Sequence, residues 1–282
     1  MSAGAELSPV SVERHSARRW RRFSSFDFVQ GHQLVPLVLG EHEQVAACLP
    51  IMFTPASAGT WWPVALTRLG ARTALVGSNG AWRGSYVPSI LRVHPFQARQ
   101  TEDGQFALLV AEDSGLVTQD PSDEPFFTPD GQLAPALAQV VAFFRNRVQA
   151  EAQTRAAMAA LARLHLLAPF QPPDGIAASL PDLMTVDGQK LAGLARNELS
   201  FLHRCGGLEL AYAALVARHH LAFLAQAEAH DSPPPQPARP PVAAPDPALT
   251  GFFDALATAR GQEPDLMNWM GGQPTPPDRK NS

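Results

Sequence analysis

The chain has 282 residues, 45% of them hydrophobic and only 17% charged, with 27 prolines and a formal net charge of −4. That composition excludes collagen, a coiled-coil rod and a wholly disordered chain, and the length is ample for a substantial core. Two cysteines, Cys48 and Cys205, exclude a disulfide framework and a four-cysteine zinc site, and the acidic balance excludes a general nucleic-acid binder.

Residues 1–24 read as a mobile basic arm carrying Arg14, Arg18, Arg19, Arg21 and Arg22. The arginine run resembles a twin-arginine export signal, but Asp27, Gln30, His32 and Gln33 interrupt the apolar stretch such a signal needs. A weak contact with an acidic surface is the alternative use of the arginines. Residues 44–67 carry no charge, yet Pro50, Pro55, Gly59 and Pro63 break any spanning helix. The expectation is a cytoplasmic protein with no transmembrane segment.

Residues 41–48 read as one or two helical turns, and 49–53, 61–69 and 73–76 as strands. Gly77-Ser-Asn-Gly80 is a turn signal. Residues 86–93 suggest a short helix, and 106–110, after Asp103-Gly104, a central strand. The stretch 113–131 is rich in Asp, Ser, Pro and Gly and reads as irregular. Helical periodicity then runs over 134–167 through Leu137, Val140, Val141, Phe144 and Val148. Asp187 is a plausible N-cap, Cys205-Gly206-Gly207 breaks the tract, and 208–230 reads as a last helix. Eight of the 15 residues from 233 to 247 are proline, which favours an extended linker over 231–248. Residues 249–282 form a tail with a short amphipathic helix.

Several blocks in this order match a known pattern. They are Leu34-Val-Pro-Leu37 with Glu41, Leu-Pro-Ile-Met-Phe at 49–53, Pro63-Val-Ala-Leu66, Gly80-Ala-Trp82, Tyr86-Val-Pro88 and Leu91-Arg-Val-His-Pro-Phe96. Asp113-Ser114, Glu124-Pro-Phe-Phe127, Asp130-Gly131, Val186-Asp187, Lys190-Leu191 and Gly207-Leu-Glu-Leu-Ala-Tyr212 follow. Over about residues 23–226 the chain resembles the SapC-like bacterial proteins, a family named after a surface-layer-associated component. The resemblance implies no established molecular function; the family name alone carries an envelope association.

The candidate chemistry is sparse. Glu41-His42-Glu43 lacks the i, i+4 spacing that places two metal ligands on one helical face, and it reads as an exposed polar helix end. His219-His220 point about 100° apart on a helix, so no metal site and no cofactor are expected. Asp113-Ser114-Gly115 lacks the Gly-x-Ser-x-Gly elbow, and Ser114 reads as a turn cap. The richest block is Trp82, Arg83 and Tyr86 with Arg92 and His94, because rings and guanidiniums together make a good ligand or partner surface, and Asp113 and Ser114 count with it as binding candidates. In the tail, Phe252, Phe253, Leu256 and Trp269 suggest a partner-binding peptide.

The resulting expectation is an α+β domain over 25–230. A mainly antiparallel sheet with short helices occupies its first half, and a helical second half packs on that sheet, followed by a Pro-rich disordered tail. The leading functional reading is a soluble, non-catalytic binding or accessory protein acting on an unknown protein or small molecule, with no nucleic acid involved. An enzyme with an unrecognised site near Asp113, Ser114 and the Trp82–Arg92 block is one alternative. A surface-layer component is the other.

Overall fold

A computed structural model describes residues 6–56, 59–70, 72–100, 106–172 and 180–229, all within the compact unit Met1–Pro234. The proline-rich linker and the tail residues Phe252, Phe253, Leu256 and Trp269 lie outside the described residues.

The fold is α+β, with antiparallel sheets built mainly from the first half and helices dominating the second. The largest sheet has five strands in the order β10 (Leu167–Pro169), β11 (Met184–Val186), β4 (Ile51–Pro55), β5 (Trp61–Leu66) and β3 (Leu34–Pro36). The apolar run over 49–53 therefore enters the sheet as expected, with Pro50 placed just before the first ladder residue. Its partner register sets Ile51 against Ala65 and Phe53 against Pro63. A second sheet orders β1 (Leu7–Pro9), β7 (Phe106–Ala111) and β6 (Phe96–Gln100), with β7 central. A third joins β8 (Val117–Thr118), β2 (Arg19–Trp20) and β9 (Glu124–Pro125).

The expected mobile arm is thus corrected. Leu7–Pro9 pairs with β7, and Arg19–Trp20 is the middle strand of the third sheet. Trp20 explains why, since its ring packs edge-on against Phe96 at 4.9 Å and draws the arginine-rich segment onto the domain. The same pairing gives order to part of 113–131, read as irregular. Residues 73–76 form no strand, only an isolated bridge between Val76 and Trp82. There the Thr73 hydroxyl donates to the Thr67 carbonyl and accepts from the Leu75 N–H, so side-chain bonds replace a ladder.

Short helices α1 (Val12–His15) and α2 (His42–Ala46) lie in the first half. Residues 89–93 form a single 3₁₀ turn, because Pro88 cannot continue a helix backwards. The long helix α3 (Pro135–Arg163) has 29 residues, about 44 Å at 1.5 Å per residue. Next come α4 (Gly188–Ala192), whose N-cap Asp187 accepts from the N–H groups of Gln189 and Lys190, and α5 (Arg196–Arg204). Gly206, at φ +71°, separates α5 from α6 (Gly207–Ala217), and a Cβ there would collide with Leu39. The expected final helix divides into α6 and α7 (His220–Ala229), where the His220 ring turns to the Ala46 carbonyl at 3.0 Å.

Two apolar cores result, and α3 serves both. Its first half supplies Leu137, Val140, Val141 and Phe144 to a core with Trp20, Phe96, Val110 and Phe126. Its second half supplies Ala157, Met158, Ala160 and Leu161 to the larger core around the five-stranded sheet. Between them the buried positions are polar. Arg147 is buried while Val148, an expected core position, is 47% exposed. Among the described residues no helix is long and apolar enough to cross a membrane.

Candidate functional site

The seam between the two cores is held by a buried ion pair. Glu41 stands at the N-cap of α2 and is buried, as is His42, whereas only Glu43 shows the exposure expected of Glu41-His42-Glu43. Its Oε2 accepts from the Ser89 N–H at 2.7 Å and the Tyr86 hydroxyl at 3.1 Å. Its Oε1 accepts from the Val38 N–H at 3.2 Å and faces Arg147 Nη1 at 3.5 Å. Arg147 also donates to Ser89 Oγ at 3.0 Å and the Pro36 carbonyl at 3.1 Å, and its Nε faces Glu151 at 3.3 Å. Each nitrogen of the guanidinium and each oxygen of the carboxylate has a protein partner, which is the condition for burying two charges. Glu41 is consequently a structural anchor joining β3, the 86–93 segment and α3; its lone pairs are not free to take a proton from a substrate.

The Trp82–Arg92 block folds around this anchor. Trp82 Nε1 donates to the Tyr86 carbonyl at 2.9 Å, and its ring lies 5.6 Å from Phe26. Arg92 sits over the Tyr86 ring at 4.6 Å and gives two hydrogen bonds to the Val87 carbonyl. Burial, and then the Glu41 carboxylate, push the Tyr86 phenol up to about 12. Arg83 uses its backbone N–H on the Leu75 carbonyl, and its guanidinium lies beside Gly77. The block is therefore a wall of the seam more than an open platform, with Arg92 its exposed member.

Asp113 and Ser114 lie elsewhere in the hydrogen-bond network. The Ser114 hydroxyl donates to the Ala111 carbonyl at 2.6 Å and accepts from the Leu116 N–H at 3.2 Å, which caps a turn. Asp113 Oδ2 accepts from the Glu6 N–H. Neither has a base or an oxyanion donor beside it in these bonds, which is the geometry a nucleophile requires.

Beside the anchor a cleft of about 300 Å³ opens along the seam. Phe28, Leu34, Ile90, Phe96 and Phe144 give it apolar walls drawn from both cores, and His94 and Arg147 give it polar points. His94 stacks on Phe28 at 4.0 Å with rings 7° from parallel. Burial, with a smaller push from His32, lowers the His94 imidazole to about 4, so it is neutral at pH 7. A second cleft of about 360 Å³ lies across His94 and Phe96, which both clefts share. The sequence reading included His94 with the Trp82–Arg92 block but missed Arg147 and Phe28. An arginine on the apolar stripe of a helix, three residues after Phe144, was the one available signal for Arg147.

The arginines of the N-terminal segment are partly engaged by surface groups of the fold itself. Arg14 Nε lies 2.6 Å from Glu112, and Arg21 donates to the Gly115 carbonyl. Among the described residues no cluster of three or more His, Cys, Asp or Glu side chains is placed to hold a metal ion.

An α+β domain whose two cores meet at an ion-paired, partly open cleft is the class that the structure defines. The chain belongs to the SapC family, whose model matches residues 10–224. No curated protein and no solved structure matches the chain.

Proposed function

We propose that this chain is a non-catalytic binding protein whose ligand sits in the clefts flanking His94. The observation that carries the reading is the cleft itself, about 300 Å³ of pre-formed concave space with mostly apolar walls and a few fixed polar groups. Its walls are held by the Glu41–Arg147 pair, so binding entails little ordering cost. The groups nearest to a catalytic set are already committed: Glu41 to four donors and the Ser114 hydroxyl to the turn it closes.

We place the protein in the cytoplasm. Support comes from the arginine-rich segment, which pairs in a sheet through Arg19 and Trp20.

A thermal-shift screen of small molecules on the full chain tests the binding reading. Ala98→Trp and Ala136→Trp each fill one cleft. Ligands that raise the melting temperature of the wild type should lose their effect in one of these variants. Stabilisation that survives both substitutions would place the ligand elsewhere and overturn the reading.

A further inference from the structure

The second cleft differs in chemistry from the first. The first contains the Arg147–Glu151 contact, so its cation faces an acid of the same wall. The second is lined by Arg22 and Arg92, with no carboxylate in its lining. Neither arginine makes an ion pair with a carboxylate among the described residues. Its floor is apolar, formed by Trp20, Phe96, Val140 and Phe143.

Trp20 adds an independent observation. It is only 4% exposed, and its indole Nε1 has no acceptor among the described residues. Buried polar groups in folded proteins nearly always have partners, so this shielded donor is an exception, and its N–H signal reports on what fills the cleft that the ring lines. Two guanidiniums at the same opening, neither facing a carboxylate, favour an anionic ligand there.

We propose that the second cleft binds a carboxylate with an apolar body, an alkyl or aryl acid. This rests on the binding reading above and specifies its ligand class. The carboxylate takes hydrogen bonds from Arg22 and Arg92, and the body lies on Trp20, Phe96, Val140 and Phe143. A guanidinium fork matches the planar carboxylate with two parallel bonds. A volume of about 360 Å³ accommodates a medium-chain or bicyclic acid and excludes a polymer.

The indole N–H signals of the ¹⁵N-labelled full chain provide the test. There are five tryptophans, and Trp20→Phe identifies the signal of interest. Octanoate, decanoate and naphthoate are titrated beside their uncharged primary amides. At least one acid should shift the Trp20 signal saturably and bind about tenfold more tightly than its amide, a charge-assisted margin. Arg22→Ala, at an exposed position, should weaken that acid by about tenfold, Arg22→Lys should restore part of the loss, and Ala136→Trp should abolish binding. Equal affinity for acid and amide, with the Trp20 signal moving for both, would overturn the carboxylate class while leaving the binding reading intact. Failure of every acid to move the Trp20 signal would overturn the site, and the cleft-filling screen would still decide the binding reading on its own.

Discussion

Arg147, midway along α3, holds its Nη1 3.5 Å from Oε1 of Glu41 at the start of α2, with the two side chains only 7% and 6% exposed. This pair sits where the apolar stripe of α3 changes allegiance from one core to the other. A buried pair of this kind contributes little against an apolar substitute, but removing one member strands the other charge at about 3–5 kcal/mol. Glu41→Ala and Arg147→Ala should each lower stability on that scale in urea unfolding. Glu41→Leu combined with Arg147→Met should be markedly less destabilised than the sum of the single changes. Additive losses would mean that the two groups act independently.

Tyr86 is tied to the same carboxylate. Tyr86→Phe removes one donor from Glu41 and should cost about 1–3 kcal/mol. Alkaline absorbance should show Tyr86 ionising near 12, a step that Tyr86→Phe removes. Because the folded value is raised, the stabilisation is complete below the ordinary tyrosine value of about 10 and is lost as pH rises towards 12. The Tyr86→Phe variant should show a flatter stability profile across that window.

How legible was this arrangement in the sequence? The strand over residues 51–55, the central strand at 106–111 and the Asp187 cap follow from local patterns, so periodicity and capping chemistry expose them. Trp82, Tyr86 and Arg92 do come together, because they lie within eleven residues of each other around one proline-stopped turn. Arg147 and Glu41 are separated by more than a hundred residues and meet only through tertiary packing. A polar residue on a helix also looks solvent-facing until the second core is known. The same blindness made Val148 look buried, since an apolar stripe read without its partner elements is ambiguous by one position. The arginine run suggested a free arm because β2 is only two residues long, too short to give a period.

His94 makes the acid limb of stability testable. Its imidazole is neutral in the fold, with its pKa lowered to about 4, and an unfolded histidine titrates near 6.5. Between those values the unfolded chain binds the extra proton, so stability is full above about 6.5 and falls as pH drops towards 4. The shift corresponds to a loss on the order of 2–3 kcal/mol across the window. Urea unfolding at pH 7 and pH 5 should show this loss in the wild type. His94→Phe keeps a ring against Phe28 and should remove a large part of the difference. An unchanged pH dependence in that variant would assign the effect to other groups.

The N-terminal segment offers a sharp contrast between charge and packing. Deleting residues 1–22 would cost nothing if they formed a free arm. In the structure the deletion removes β1 from β7 and β2 from between β8 and β9, and it uncovers Val110 and Phe126, both fully buried. It also removes Trp20, whose ring lies 4.9 Å from Phe96 in the same core. The arginines and the tryptophan of this segment should therefore behave differently. Arg14 meets Glu112 at the surface, where its side chain is 52% exposed, so Arg14→Ala should leave the melting temperature nearly unchanged. Trp20→Ala opens a cavity among Phe96, Phe126 and Val140, and large aromatic deletions of that kind cost about 3–5 kcal/mol. Thermal unfolding of the two single variants beside the truncated chain checks this directly. The truncation should lose at least as much stability as Trp20→Ala, since it removes that ring together with two strands. A truncated chain that melts like the wild type would show that the segment does not pack as described.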